Sequence, residues 1–459
     1  MKTIVEQSEV FAAVVSKLQF DDKETYKKSR YVIETEHKGF FLLFNTLSRE
    51  LIALKENEYK RLSELTDDSL LSRLVEKYFY VPIDYDEHNL YEQIYSIVSM
   101  FNTESDIFTN FTVMPTMECN ARCFYCFEHG SKRYPMSDKT ANDVADFIIR
   151  KSGKKAIEIL WFGGEPLYNT NAIDIITKKL SENNIEFKSK IISNGYLFDN
   201  SIAIKAKKDW KLSSIQITLD GTEQIYNNIK SYIYHDQVSP FNRVLTNIET
   251  ALKNNIKVLI RLNMSLTNKD DLNSLVEMLF DKFKNYKSQL CIYVWLLYDN
   301  RGAIKNIKSN IERHNLTNAL IDLEEKIYAN GFGLGGIPNR NIKINMCGAD
   351  SGKNITILPN GSIGKCDHYS DDKLIGDIYN DDYDSVQIEK WKQKRADVEL
   401  CKMCPIKPQC VKLINCPELG DYDCDKYEQK RIIVALKRQI KNAFDKHEAG
   451  TRFLNPPKA

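Results

Sequence analysis

The chain has 459 residues, enough for two to four domains, and its 42% hydrophobic and 28% charged residues are typical of a globular protein with a sizeable core. Its 64 Lys and Arg nearly balance 63 Asp and Glu, which argues against a bulk electrostatic grip on nucleic acid or acidic membranes. No apolar run approaches the roughly 18 residues of a membrane span, and Glu6 and Glu9 interrupt the stretch where a secretory signal would be apolar. These features predict a cytoplasmic protein that binds neither nucleic acid nor membrane.

The first 90 residues are expected to form a small α+β unit. Two apolar runs, Tyr31–Glu36 and Phe40–Phe44, flank a turn-like His-Lys-Gly segment and predict a β-hairpin. Two later sets of apolar residues have helical spacing, first Leu47, Leu51 and Leu54, then Leu70, Leu71, Leu74 and Val75. A connecting helix is expected over residues 91–110.

From residue 111 the pattern changes to alternating strands and helices. Six apolar segments are predicted as strands: Phe111–Thr116, Ile157–Phe162, Lys190–Ser193, Ser214–Leu219, Lys257–Met264 and Leu290–Leu297. Amphipathic segments of helical length separate them, including Asp138–Lys151, Ile202–Lys208, Phe241–Lys253 and Asp271–Phe283. Six β-α units in sequence predict a parallel sheet with helices outside it, open or partly closed into a barrel, over residues 111–300.

The rest of the chain is predicted as a linker over residues 301–345, a cysteine-rich unit over 346–427, and a basic amphipathic helix with a tail over 428–459. Ten of the eleven cysteines fall into two groups, and only Cys291 lies outside both. The first group is Cys119, Cys123 and Cys126, and the second is Cys347, Cys366, Cys401, Cys404, Cys410, Cys416 and Cys424. In a reducing cytoplasm such clustered thiols bind metal more often than they form disulfides.

The first cysteine group follows the first predicted strand directly and has the spacing C-x3-C-x2-C. No His or fourth Cys stands at zinc-finger spacing, so a zinc knuckle or a redox loop is the weaker interpretation. Three thiolates on a four-iron cluster leave one iron without a protein ligand, as a substrate-binding cluster requires. The motif resembles that of the radical SAM superfamily. In that family S-adenosylmethionine (SAM) chelates the open iron, and the reduced cluster splits SAM into methionine and a 5′-deoxyadenosyl radical.

Further motifs agree with this resemblance, because each falls at the carboxyl end of a predicted strand, where barrel folds place their sites. Trp161–Pro166 contains the family's GGEP element, Ser193–Gly195 ends the third strand, and Thr218–Gly221 resembles the family's S-L-D-G. The resemblance implies that Glu165 accepts a hydrogen bond from the methionine ammonium. The full set of implied SAM contacts is Tyr125, Gly163, Gly164, Glu165, Ser193, Asn194, Thr218, Asp220, Lys230 and Arg261. Lys230 stands where the family often has Arg, which is a departure at the contact to the SAM carboxylate.

The second cysteine group resembles the seven-cysteine SPASM domain, which holds two auxiliary 4Fe–4S clusters. By position, the resemblance assigns Cys401, Cys404, Cys410 and Cys424 to a distal cluster and Cys347, Cys366 and Cys416 to a proximal one. Five residues separate Cys410 from Cys416 where three are usual, so the roles of Cys416 and Cys424 could be exchanged. Only two cysteines precede the C-x2-C pair, so the proximal cluster could have an open iron. One or two zinc ribbons are the alternative for this group.

Two single residues complete the candidates. Asp367 follows Cys366 directly, at the place where the related anaerobic sulfatase maturases have a carboxylate as general base. An exposed loop Asp is the alternative, because Asp is common in turns. Cys291 alternates with apolar residues on the last predicted strand and is expected to be a small core hydrophobe rather than a ligand.

The unit of about 90 residues ahead of the barrel resembles the winged-helix-like peptide-recognition element of ribosomal-peptide maturases, in which a leader peptide adds a strand to a sheet edge. A winged helix could instead bind DNA. Residues 1–90, however, contain 13 Lys and Arg against 17 Asp and Glu, a net charge of −4, which is the wrong sign for phosphate contacts.

The expected fold is therefore α/β: a partial (β/α)6 TIM-type barrel with an N-terminal winged-helix-like peptide-recognition unit and a C-terminal iron–sulfur SPASM domain. The expected function is a radical SAM enzyme that modifies a ribosomally synthesised precursor peptide by hydrogen abstraction. It would form a thioether, carbon–carbon or carbon–oxygen crosslink with an electron from flavodoxin or ferredoxin. The alternatives are an anaerobic sulfatase maturase that forms formylglycine, and a non-catalytic iron–sulfur electron carrier or sensor, which has no use for a GGEP element or for Asp220.

Overall fold

The computed structural model describes most of the chain. The described residues are 1–64, 67–100, 107–126, 128, 130, 132–234, 238–297, 310–333, 336, 338, 342–345, 347–368, 373–410, 416–417, 424 and 426–450. None of the helices in these ranges combines the length and apolarity needed to cross a membrane.

The N-terminal unit, residues 1–99, is built on an antiparallel sheet. Its strands are β1 (Lys2–Val5), β2 (Tyr26–Lys28), β3 (Val32–His37), β4 (Phe40–Asn45), β5 (Leu51–Lys55) and β6 (Tyr80–Pro82). Its helices are α1 (Glu9–Val14), α2 (Glu56–Ser63), α3 (Asp68–Glu76) and α4 (Glu87–Ser99). The main sheet has the order β1-β5-β4-β3, and β2 pairs with β6. The predicted hairpin is β3–β4, and the second set of helically spaced leucines lies on α3; both predictions are confirmed.

The middle of the chain forms a partial barrel of parallel strands. The strands are β7 (Asn110–Thr116), β8 (Ile157–Gly163), β9 (Phe187–Ser193), β10 (Leu212–Leu219), β11 (Lys257–Met264) and β12 (Leu290–Leu296). The helices are α5 (Asp138–Lys151), α6 (Thr170–Glu182), α7 (Asn200–Lys208), α8 (Glu223–Lys230), α9 (Pro240–Lys253) and α10 (Asp271–Lys282). The six strands lie side by side in chain order, which confirms the predicted parallel sheet.

Successive side chains of a barrel strand point alternately to the helix-covered face and to the inner face of the sheet. On β10, Ile215, Ile217 and Leu219 are fully buried in the core that the sheet shares with the outer helices. Gln216 and Thr218 lie between them on the other face, because successive side chains of a strand point to opposite sides. The inner face of the barrel is therefore partly polar, and its side chains can contact a ligand.

The C-terminal part continues the barrel sheet. Its elements are α11 (Asn310–Ala329), β13 (Asn354–Ile357), β14 (Ser362–Gly364), β15 (Leu374–Asp377), α12 (Ser385–Lys390), α13 (Glu399–Lys402) and α14 (Lys426–Glu448). β13 pairs in parallel with β7 and antiparallel with β14, so the sheet has nine strands in the order β12-β11-β10-β9-β8-β7-β13-β14-β15. The segment expected to be a linker contains the 20-residue helix α11. The predicted C-terminal helix is confirmed as α14.

One secondary-structure prediction in the N-terminal unit is wrong. Leu51 and Leu54 lie on strand β5, not on a helix. The run Leu51-Ile-Ala-Leu54 is buried throughout because β5 is a central strand covered on both faces. Leu51 and Ala53 pack in a core shared with α14, and Ile52 and Leu54 pack in a core shared with α3. A short run buried on both faces lacks the alternation that identifies a strand, so its spacing also fits a helix.

Phe444 of α14 fixes this helix against the N-terminal sheet. Its ring is 1% exposed, and its centroid is 5.2 Å from that of Phe40 on β4. We expect Phe444→Ala to destabilise the packing of the N-terminal unit by about 3–5 kcal/mol, because it removes a buried ring and leaves a cavity. Hydrogen exchange of the β3–β5 amides measures this, with Val386→Ala on the exposed side of α12 as the control. Equal exchange in the two variants would contradict the packing.

Candidate active site

The first cysteine group lies on a loop that follows β7 and crosses the carboxyl end of β8. The backbone of this loop is held at several points. Met117 N donates to Tyr134 O at 2.9 Å, and Arg122 N donates to Lys230 O at 2.8 Å. Ile233 N donates in turn to Asn120 O at 2.9 Å. The loop that carries Cys119, Cys123 and Cys126 is therefore fixed to two other parts of the barrel rim.

Two glycines make the crossing possible. A Cβ on Gly163, whose φ is +108°, would lie 2.5 Å from Thr116 O, and a Cβ on Gly164 would lie 2.3 Å from Glu118 O. No side chain can be accommodated at these distances without moving the backbone. Glu165 N also donates to Glu118 O at 2.8 Å. The glycines of the GGEP element thus allow close contact with the cysteine loop of the same chain.

Glu165 is fully buried and joins the ends of β8 and β9. Its Oε1 accepts from Ser193 Oγ at 2.8 Å and from Leu167 N at 3.2 Å, and its Oε2 accepts from Asn194 N at 2.8 Å. Burial raises the pKa of the carboxyl to about 7, although the hydrogen bonds from Asn194 and Ser193 oppose that shift. Glu165 can therefore hold or release a proton near neutral pH, and a nearby cation would favour its charged form.

A second buried carboxylate, Asp220, collects donors from three elements. Its oxygens accept from Tyr125 OH at 2.9 and 3.0 Å and from Asn263 Nδ2 at 3.1 Å, and they form an ion pair with Lys230 Nζ at 3.1 Å. Lys230 also donates to Tyr125 OH at 3.1 Å. Burial alone would lower the pKa of Lys230, but the Asp220 carboxylate raises it, so this lysine stays charged.

The remaining implied SAM contacts lie at the same end of the barrel. Asn194 Nδ2 donates to Asn120 Oδ1 at 2.7 Å, which brings the β9 end to the cysteine loop. Thr218 is in register with Arg261, whose Nε donates to Asn263 Oδ1 at 2.9 Å. The structure therefore brings together all ten residues for which the resemblance implied a SAM contact.

Two asparagines of this site, Asn120 and Asn268, are not among the residues predicted from the sequence. Asn120 directly follows Cys119 in the cysteine motif, and this position could have marked it as part of the site. Asn268 is 2% exposed, and its Nδ2 donates to Asp220 O at 2.7 Å and to Asn263 O at 2.8 Å. Nothing in the local sequence marks Asn268, because its partners lie on two different strand ends.

The spacing of the cysteine sulfurs differs from that of a zinc site. A tetrahedral zinc site with Zn–S bonds of about 2.3 Å places its sulfurs about 4 Å apart. Among the described residues, which include all eleven cysteines, three ligand atoms within 4.8 Å of one another occur in the set His88, Glu92 and Asp397 and in no set of cysteines. A four-iron cluster spreads its thiolates more widely, because each binds a different iron. Cys119, Cys123 and Cys126 offer the three thiolates that a SAM-binding four-iron cluster takes from a protein.

The second cysteine group divides into two places. Cys401, Cys404, Cys410 and Cys424 line one cavity, here called the distal cavity. Cys424 has the other three thiols as electrostatic neighbours, whereas Cys347 has Cys416. This placement agrees with the grouping by position rather than with an exchange of Cys416 and Cys424. Cys347 and Cys366 lie beside the start of β13, where Lys365 Nζ donates to Ser351 O at 2.8 Å.

Asp367 and Cys291 lie on separate parts of the barrel. Asp367 is half-buried, and its Oδ1 is 3.8 Å from Cys366 Sγ. The next residue, His368, stacks near the Phe162 ring at the end of β8, with 6.4 Å between the ring centroids. Cys291 is half-buried on β12 and lies outside the hydrophobic core, contrary to expectation. Its neighbours Leu290 and Ile292 take the core face, so Cys291 lies on the inner face.

We expect Gly164→Ala to displace the cysteine loop, since the added methyl group would meet a backbone carbonyl at 2.3 Å. Anaerobic reconstitution should then give about four fewer iron atoms per chain, the content of one cluster. Gly336→Ala is the matched control, because a Cβ at Gly336 has no atom within 4 Å. Full iron content in Gly164→Ala would show that the close contact is dispensable.

Residues 113–280 match the family model described as Radical SAM superfamily. The radical SAM cyclopropyl synthase TigE of Paramaledivibacter caminithermalis is 28% identical over a match that covers 36% of this chain and 44% of TigE. The chain covers 37 to 50% of the length of the curated relatives that it matches.

Two solved structures show similarity of fold. Native anSMEcpe with bound AdoMet has a TM-score of 0.54 and 18% identity, over 74% of this chain and 99% of that chain. Streptococcus suis SuiB has a TM-score of 0.50 and 15% identity, over 87% of this chain and 99% of that chain. At these identities the similarity concerns the fold alone. Residues 113–280 are therefore a radical SAM domain, which the chain carries within an α/β fold of the partial-barrel type.

Proposed function

We propose that the chain is an enzyme that modifies a ribosomally synthesised precursor peptide by radical chemistry. The observation that carries the proposal is the convergence of the Cys119, Cys123 and Cys126 loop with Glu165 and Asp220 at one end of a barrel whose inner face is partly polar. When bound, a four-iron cluster and SAM supply the 5′-deoxyadenosyl radical. The residues of the chain bind SAM, orient it and hold the peptide against it.

Glu165 and Asp220 have different parts in this proposal. Oε2 of Glu165 accepts a hydrogen bond from Asn194 N and keeps acceptor capacity for the methionine ammonium of SAM. Lys230 is already bound to Asp220 and Tyr125, so it fixes those two side chains rather than reaching the SAM carboxylate itself. Arg261, whose guanidinium lies 5.1 Å from the centre of the Trp295 ring, is assigned to the SAM carboxylate instead.

The N-terminal unit supports a peptide as substrate. Within the described residues, β1 and β3 are the outer strands of the main sheet, and each pairs on one side only. Such edges present backbone donors and acceptors to which an extended peptide can add as a strand. We assign leader binding to this unit and chemistry to the barrel, with flavodoxin or ferredoxin as the electron donor.

The proposed reaction is hydrogen abstraction from a peptide carbon followed by closure of a crosslink: thioether, carbon–carbon or carbon–oxygen. Closure would release one proton and one electron, and an auxiliary cluster held by the second cysteine group would take up that electron. Asp367, beside Cys366, is assigned as the proton-accepting or substrate-positioning group. Cys347, Cys366 and Cys416 are assigned to the proximal cluster, and Cys401, Cys404, Cys410 and Cys424 to the distal one. An open proximal iron would bind a substrate thiolate and favour thioether closure.

A sulfatase maturase that forms formylglycine is the second candidate, favoured by the carboxylate of Asp367 next to a cysteine. The products separate the two candidates by mass spectrometry. Formylglycine carries an aldehyde that hydroxylamine traps, whereas a crosslinked peptide is not trapped and stays joined after proteolysis between the crosslinked residues.

Replacing Cys119, Cys123 and Cys126 together with Ala is expected to abolish reductive formation of 5′-deoxyadenosine, because no thiolates remain to hold the SAM-binding cluster. Iron bound by the second cysteine group should persist. Cys291→Ala, which changes a cysteine outside both groups, is the control and should retain the activity. 5′-Deoxyadenosine formation by the triple variant would overturn the assignment.

The raised pKa of Glu165 predicts proton release when SAM binds. Burial raises the pKa of the Glu165 carboxyl to about 7, so this group is partly protonated at pH 7, and the positive charge of SAM favours the carboxylate; binding should therefore release a fraction of a proton from Glu165. SAM affinity should therefore rise as pH increases through 7. Calorimetry in buffers of different ionisation enthalpy measures the release.

Glu165→Gln should abolish this proton release. Glu158→Gln is the matched control: burial alone would raise the pKa of Glu158, but hydrogen bonds from Lys190 and Lys188 hold it below its ordinary value. Glu158 therefore stays ionised at pH 7 and contributes no proton. Proton release that persists in Glu165→Gln would contradict the assigned contact.

A further inference from the structure

The N-terminal unit forms part of the wall around the distal cavity. Ile406, which lines the cavity, is 3% exposed and packs in the same core as Phe44 and Leu51 of the N-terminal sheet. Cys404 packs against that core. Cys410 packs against a second N-terminal core, which includes Tyr91 of α4. Two of the four thiols are therefore covered by a unit that lies more than 300 residues away in sequence.

Polar contacts fix this wall to the cysteine loop. Arg30 Nη1 donates to Lys402 O at 2.7 Å, and Thr46 Oγ1 donates to Pro405 O at 2.5 Å. Both acceptors are backbone carbonyls next to cysteines of the C-x2-C pair. The N-terminal unit thus holds the backbone on either side of Cys404.

A charge network around one buried lysine links the same two units. Lys407 lies between Cys404 and Cys410 and is 4% exposed. Its Nζ forms ion pairs with Asp397 and, at 3.2 Å, with Glu92 of α4. Lys394 Nζ pairs with the other oxygen of Glu92 at 2.6 Å. Lys394, Asp397 and Lys407 all line the distal cavity. Because Glu92 pairs with both lysines, the N-terminal unit places a carboxylate next to the wall of this cavity.

Lysine ammonium groups, rather than a metal ion, neutralise the carboxylates of this network. His88, Glu92 and Asp397 offer ligand atoms within 4.8 Å of one another. Both carboxylates, however, are already paired with the buried ammonium of Lys407, and Glu92 is also paired with Lys394. A divalent cation bound to Glu92 and Asp397 would have to displace Lys407, which forms ion pairs with both of these carboxylates.

We propose that Glu92 and Lys407 set the reduction potential of the distal cluster, so that the N-terminal unit tunes this cluster as well as binding peptide. The inference rests on the proposed function, because it requires a cluster held by Cys401, Cys404, Cys410 and Cys424. One electron from a reductant converts the 2+ cluster to the 1+ state without bond changes. A nearby positive charge stabilises the reduced state, and a nearby negative charge opposes it.

The test is an anaerobic redox titration of the reconstituted full chain, followed by electron paramagnetic resonance of the distal cluster. Glu92→Gln keeps the side-chain size and removes a negative charge, so the potential should rise. Lys407→Met removes a positive charge, so the potential should fall. Shifts of opposite sign distinguish charge tuning from a structural role, because disruption of the wall would act in one direction in both variants.

Glu277→Gln is the matched control. Glu277 pairs with Lys326 at 2.6 Å on the exposed side of α10, so this variant should leave the reduction potential of the distal cluster unchanged. If Lys407→Met does not fold, Lys394→Met tests the same sign at a half-exposed lysine. Equal potentials in Glu92→Gln and Glu277→Gln would overturn the inference and leave the proposed cluster intact. Unchanged iron content and spectra in a Cys401→Ala, Cys404→Ala double variant would instead refute the cluster itself.

Discussion

The close contact between the GGEP glycines and the cysteine loop determines the geometry of the whole site. Gly163 and Gly164 let the carbonyls of Thr116 and Glu118 approach the end of β8 to distances that no Cβ permits. The loop is thereby fixed over one end of the barrel. Because all six barrel strands are parallel, their carboxyl ends meet at this same rim. The polar groups of the site there are Glu165, Asn194, Asp220 and Asn263, from the ends of β8, β9, β10 and β11.

Burial of charge at this rim has a free-energy cost that the site offsets with specific partners. Asp220 is fully buried, yet Lys230, Tyr125 and Asn263 all donate to it. A buried pair of this kind contributes little net stability, since desolvation opposes the Coulombic gain, but removal of one partner is strongly destabilising. The Asp220–Lys230 pair instead positions a neighbour: it fixes Tyr125, next to Cys126, against the end of β10.

The barrel could be predicted from the sequence because its strands are long apolar runs with polar motifs at their ends. Helix α11 lies in the segment predicted as a linker, although Leu316, Leu320 and Ile327 have helical spacing. The glycine-rich run Gly331–Gly336 that follows the helix is typical of a linker and favours that prediction. No pattern in the local sequence indicates that α4 and β4 cover Cys404 and Cys410. It depends on contacts between residues more than 300 positions apart, such as Thr46 with Pro405.

The central claim is that Cys119, Cys123 and Cys126 hold a four-iron cluster with one iron left open for SAM. Electron paramagnetic resonance of the dithionite-reduced protein, with and without SAM, tests it most directly. The account predicts that SAM changes the signal of one cluster and leaves the signals from the second cysteine group unaltered. A spectrum that SAM does not change, or zinc in place of iron at these three cysteines, would contradict it.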